Sequence, residues 1–171
     1  MLLGVGGYPT LNLLPDGLRI RRALPADASN LADLFRRAVL GYGPAAYSPE
    51  QVTAWAQSAE AVAAPERLVH GVTLLAEAAG EAACVGRLCP DDHIDLLYCA
   101  PPHGRRGLAS AVLAALEAEA HQRGAERLSV DASLVARGLF AKHGYQVVAE
   151  EAVELRGVLF RRFRMVKGAA P

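Results

Sequence analysis

Residues Ile94–Ala120 read IDLLYCAPPHGRRGLASAVLAALEAEA. An apolar run stops at Pro101-Pro102, a loop carries Gly104 and Gly107, and a helical pattern begins at once. Leu108, Val112, Leu116 and Ala120 recur every four residues, and Gly124 is a helix stop. The spacing predicts a strand over 93–99 and a helix over 107–123. Amides at the start of such a helix have no internal partner and lie at the positive end of the helix dipole, which makes an anion site. Glycines let a phosphate approach the backbone, and Arg105 and Arg106 add charge. A bare Gly-x-x-Gly is also an ordinary tight turn with solvated arginines. No Gly-Lys-Ser/Thr follows it, and no Gly-x-Gly-x-x-Gly opens an early parallel unit, so Walker and dinucleotide loops are excluded.

A short strand over 127–131 follows the helix and closes a right-handed crossover. Leu134–His143 reads as a short helix ended by Gly144, and Val147–Val153 and Val158–Val166 as strands around Gly157. Upstream, Leu18–Leu24 is a strand. A helix with Pro25 and Asp27 in its first turn carries the stripe Leu31, Leu34, Phe35, Ala38 and ends at Gly41 and Gly43. Ser48-Pro49-Glu50-Gln51 is a capping box with proline at the first helical position. Leu68–Ala76 and Ala83–Leu88 flank an Ala79-Gly80 turn as a hairpin. The order is β α α β β β α β α β β, an α/β chain with a mixed sheet and helices on both faces. Residues 1–17 read as an N-terminal tail, 18–167 as one domain, and 168–171 as a C-terminal tail.

With 171 residues, 18 basic and 18 acidic, the chain is long enough for a core and has no net charge to draw nucleic acid or an acidic membrane. Three scattered cysteines argue against a disulfide framework and for a reducing compartment, hence a cytoplasmic protein. No apolar run has membrane-spanning length. Cys89 and His93 lack a second, suitably spaced Cys/His pair, so no metal is expected.

Leu97-Tyr98-Cys99-Ala100-Pro101 followed by Arg106-Gly107-Leu108-Ala109 resembles motif A of the GNAT N-acetyltransferases, roughly Gln/Arg-x-x-Gly-x-Gly/Ala after a strand. Ala132-Ser133 with Phe140 to Tyr145 resembles motif B, and the helix with Gln51 and Trp55 is similar to the small bacterial YafP-type branch. The resemblance spans Leu18 to Lys167. It implies the GNAT fold, a mostly antiparallel mixed sheet splayed where acetyl-CoA binds, and acetyl transfer to a primary amine. The pyrophosphate lies on the amides of Arg105 to Ala109 and the pantetheine along 95–99. A backbone N–H near Tyr98–Cys99 polarises the thioester. The implied cofactor set is Leu97, Tyr98, Cys99, Gly104, Arg105, Arg106, Gly107, Leu108, Ala109, Ser110, Ser133 and Phe140.

Two positions depart from the family pattern. Gly104 stands where motif A carries Gln or Arg. Phe140 stands where many members carry a tyrosine that protonates the departing thiolate, and phenylalanine has no proton to give. A thiol of pKa ~8.5 leaves readily as thiolate, so Ser133 or a water suffices. The amine, with a pKa of ~10, must lose a proton. Strict alternation puts His93, Asp95, Leu97 and Cys99 on one side of the strand, which makes Asp95 and His93 the candidate bases. Each also has a structural reading, Asp95 as a loop-holding carboxylate and His93 as an exposed strand start. Tyr47 and Trp55 fit the rim of an acceptor pocket, although Trp55 on an apolar helix stripe also reads as core. The expected acceptor is a small molecule rather than a protein amine, and a homodimer stays open. A non-catalytic acyl-CoA-binding module is the alternative that Phe140 suggests.

Overall fold

The computed structural model describes residues 13–14 and 18–168. The chain enters through strands β1 (Leu13–Leu14) and β2 (Leu18–Arg22) and a 3-10 turn at Pro25–Asp27. Helices α1 (Ala28–Tyr42), α2 (Pro49–Ala56), α3 (Ala59–Val62) and α4 (Pro65–Leu68) follow. Strands β3 (Val72–Ala78), β4 (Glu81–Leu88) and β5 (His93–Cys99) precede helix α5 (Leu108–Gln122). Strand β6 (Arg127–Ser133), helix α6 (Arg137–Lys142), β7 (Gln146–Leu155) and β8 (Val158–Gly168) complete the chain.

Among the described residues the sheet order is β1-β2-β3-β4-β5-β6-β8-β7, and only the β5–β6 pair is parallel. This is the mixed, mostly antiparallel sheet expected. The local start signals also hold. Ser48 Oγ accepts the Gln51 amide at 3.2 Å, and Gln51 Oε1 accepts the Ser48 amide at 2.9 Å.

Several boundaries differ from the pattern reading. Leu13–Leu14, expected in a tail, pairs with β2, while the rest of that tail lies outside the described residues. The short helices α3 and α4 have no periodic stripe long enough to announce them, and α4 takes Leu68 out of the expected strand. Helix α1 runs through Gly41 and stops one residue before Gly43.

Two apolar layers flank the sheet. On one face Val112, Leu113, Leu116 and Ala120 of α5 pack on Leu74, Cys84, Ile94 and Val130, with Phe140 of α6. On the other, Leu34, Phe35 and Val39 of α1 pack on Leu75, Val85 and Phe160. Burying a large apolar side chain is worth about 1.5–3 kcal/mol, so the two layers together hold the sheet between its helices.

Two features of β4 and β5 correct the sequence reading. The register passes from Arg87↔Leu96 to Leu88↔Ile94, so Asp95 is an extra, bulged residue. Strict alternation fails there: Ile94, Leu97 and Cys99 share the α5 face, and Tyr98 turns toward α1. The same register sets Cys84 opposite Cys99, with Cα atoms 4.0 Å apart, and their sulfurs are joined as a disulfide. The sequence argued against a disulfide framework and did not foresee this single pair, whose members meet only through strand pairing. Cys89 is free.

Candidate active site

Strand β5 pairs with β6 only at His93↔Ser129 and Ile94↔Val130. Past the bulge at Asp95 the two strands part, and β5 keeps hydrogen-bonding β4 up to Cys99. The backbone edge of β5 that faces β6 is thereby left open over 96–99, the splay expected from the sequence. Two cavities occupy this opening.

The larger, about 790 Å3, runs from Leu97, Tyr98 and Cys99 past the loop to the first turn of α5. Arg105 (φ +59) and Gly107 (φ +79) both adopt left-handed conformations, and Gly107 is the cap residue of α5. Gly107 is thus not the helical, negative-φ residue that a helix over 107–123 requires. Left-handed residues in a turn gather successive N–H groups into an anion-binding concavity. Ala111 N is bonded to Gly107 O, and the amides of Leu108 to Ser110 precede it as the unpaired first turn of the helix. Ser110 Oγ is held by His143 Nε2 at 2.9 Å, which ties α6 to the start of α5.

The smaller cavity, about 350 Å3, lies between β5, β6 and the β7–β8 hairpin. Tyr47, Trp55, Tyr98 and Phe160 form its aromatic wall; Trp55 stands 6.1 Å from Tyr98 and 6.3 Å from Phe160, edge to face. Asp95, Asp131, Glu154, Arg161 and Arg162 bring charge to it. Asp131 is paired with Arg162 and Arg164 at 3.3 Å. Among the described residues Glu154 makes no ion pair. The two cavities share Trp55, Leu97, Tyr98, Ser133 and Ala136.

The sequence candidates separate on this geometry. Leu97, Tyr98, Cys99, Gly104, Arg105, Gly107, Leu108, Ala109, Ser110 and Ser133 line the larger cavity, whereas Arg106 does not. Phe140 lines the smaller one, with Tyr47 and Asp95. His93 lines neither. It sits four residues before Leu97, about 13 Å along the strand, and its Nδ1 shares a hydrogen bond with Ser129 Oγ at 2.9 Å. Burial lowers its pKa, against the opposing pull of Asp131 and Asp92. Asp95 Oδ2 accepts from Arg87 Nε at 2.7 Å and from Arg87 Nη2, and Arg67 approaches to 3.6 Å.

Tyr47 is nearly buried. Its hydroxyl accepts the Leu134 amide at 2.9 Å and donates to Arg161 O at 3.4 Å. Burial raises its pKa, and the Leu134 amide and the nearby Ser133 only partly oppose the rise. Burial also pushes Tyr98 up to about 12. Both phenols keep their protons near neutral pH and can donate but not accept them. Ser133 Oγ accepts the Ala136 amide at 3.1 Å. Sequence reading gave no site role to Lys142 and His143 within the motif B stretch, and it missed Tyr42 and Glu154. Tyr42 and Glu154 reach a cavity from elements whose own patterns carry no functional signal.

A strand splayed beside a helix-start anion site has close parallels. The family model of the acetyltransferase (GNAT) domain matches residues 44–167. The N-acetyltransferase YafP of Escherichia coli K12, itself uncharacterized, is 33% identical over 150 residues, covering 88% of this chain and 95% of YafP. The crystal structure of a GCN5-related N-acetyltransferase from Rhodopseudomonas palustris superimposes with a TM-score of 0.85 at 33% identity, over 96% of this chain and all of that one. PaiA N-acetyltransferase of Thermoplasma acidophilum, solved with coenzyme A, shares the fold with a TM-score of 0.69 at 16% identity, over 89% of this chain and 99% of PaiA. The chain belongs to the GNAT family and is an acetyl-CoA-dependent N-acetyltransferase.

Proposed function

We propose that this enzyme moves the acetyl group of acetyl-CoA directly to a primary amine of a small molecule, without an acyl-enzyme. The observation that carries this reading is the meeting of two cavities at Leu97, Tyr98 and Ser133, one long and opening on a helix start, the other small and aromatic. In this reading the pyrophosphate rests on the amides of Arg105 to Ala109, and pantetheine adds along the open edge of β5 as an extra strand would. The acetyl carbonyl then stands at a backbone N–H of the open edge near Tyr98–Cys99, which stabilises the negative charge that develops on its oxygen as the amine adds.

The acceptor enters the smaller cavity. Glu154 at its edge draws in the ammonium form. Deeper in, the walls of Tyr47, Trp55, Tyr98 and Phe160 strip water from the amine and favour its neutral form. Asp95 Oδ1, the carboxylate oxygen that does not hold Arg87, takes the departing proton, directly or through one water. When the C–S bond breaks, Ser133 passes a proton to the sulfur and takes one back from water, while Asp95 releases the proton of the amine to solvent. Lacking a proton, Phe140 contributes only shape.

The test is release of free CoA from acetyl-CoA with a panel of small primary amines. The expected result is turnover with at least one amine and initial-rate lines that intersect, as a single ternary complex requires. Parallel lines, or turnover with peptide N-termini and none of the small amines, would overturn the reading.

A further inference from the structure

The loop at 101–107 and the last turn of α1 are seated against each other through two glycines. A Cβ on Gly41 would collide with the ring of Pro101. A Cβ on Gly104 would collide with the hydroxyl of Tyr42, and the ring carbon bearing that hydroxyl would lie 2.9 Å away. The space where a side chain at 104 would begin is therefore filled from α1. Tyr42 also lines the larger cavity, beside Gly104 and Arg105. Among the described residues its hydroxyl makes one bond, to Pro101 O, at a long 3.3 Å. A phenol so weakly engaged can turn its O–H to a better acceptor, and a phosphate oxygen gives a shorter, charge-assisted bond.

We propose that Tyr42 supplies, from a different element, the cofactor contact that position 104 lacks: its hydroxyl donates to the pyrophosphate of CoA. This rests on the reading that CoA occupies the larger cavity. Glycine at 104 is then half of a pair, because a longer side chain there and a tyrosine at 42 compete for the same place.

The experiment is calorimetric titration of CoA and of 3′-dephospho-CoA into the full chain and its variants, which needs no acceptor. Tyr42→Phe should weaken both ligands by roughly ten- to a hundred-fold, the worth of one hydrogen bond to a charged group, with an unchanged thermal midpoint. Gly104→Gln should weaken CoA in the parent chain, yet improve it in a Tyr42→Ala background, where the space is vacant. Unchanged affinity of Tyr42→Phe, a loss with CoA that is absent with 3′-dephospho-CoA, or no gain in the double variant would each overturn the proposal. A parent chain that binds no CoA would overturn the reading beneath it as well. Affinity weakened by Gly107→Val but not by Tyr42→Phe would sink the proposal alone.

Discussion

The guanidinium of Arg87, 1% exposed, ends on the bulged carboxylate of Asp95, with Nε 2.7 Å from Oδ2. Asp95 is at once the counter-ion of a buried cation and the proposed base. Asp95→Leu should cost about 2–4 kcal/mol of stability, because a buried charge is left without its partner. The double variant Arg87→Leu/Asp95→Leu should regain most of that stability in urea titration but not the acetylation rate. Recovery of rate together with stability would remove Asp95 from the chemistry.

Ser133 is the proposed proton donor to the sulfur, and Tyr47, whose hydroxyl holds the Leu134 amide, positions it. Ser133→Ala and Tyr47→Phe should each lower kcat by about ten-fold, below the 10²–10⁴ usual for general acids, because a thiol is already a fair leaving group. KM for acetyl-CoA should stay near its parent value. An acetyl thioester of a more acidic thiol should shrink both losses, and equal losses with both donors would mark the two residues as structural.

His93 titrates below its usual 6.5 because it is half-buried beside Arg162 and Arg164, despite Asp131 and Asp92. Between the depressed native value and 6.5 the unfolded chain binds a proton that the native chain does not. Stability should be full above pH 6.5 and fall as the pH drops through that window. Urea midpoints measured from pH 7.5 to 5 should fall less steeply in His93→Gln. An equal slope would mean that His93 titrates alike in both states.

Gly107 and Gly124 are both left-handed, at φ +79 and +89, and a Cβ at either position would meet nothing within 4 Å. Replacing either by valine should therefore cost stability through backbone strain alone, by about 1–2 kcal/mol. Only Gly107→Val should also weaken acetyl-CoA binding, by roughly ten-fold or more, because only its loop holds the anion site. Parent-like affinity in Gly107→Val would place the phosphates elsewhere.

Local causes made part of this protein legible from its sequence. The strand, glycine loop and helix over 93–122, the capping box at Ser48 and the Gly124 stop each depend on residues within a few positions of one another, so periodicity and end signals are enough. Motif A lies in the same stretch, and the open edge of β5 followed from the family resemblance that the motif carries. Tertiary structure alone decided the rest. The bulge at Asp95 and the Cys84–Cys99 pair are matters of register between β4 and β5, and the bulge took His93 off the face shared by Leu97 and Cys99. Tyr42 meets its loop 59 residues on, Tyr47 meets Leu134 across 87, and Glu154 arrives from the last hairpin. Contacts across such separations are set by how helices and strands pack, and no pattern within one element records what another will bring to it.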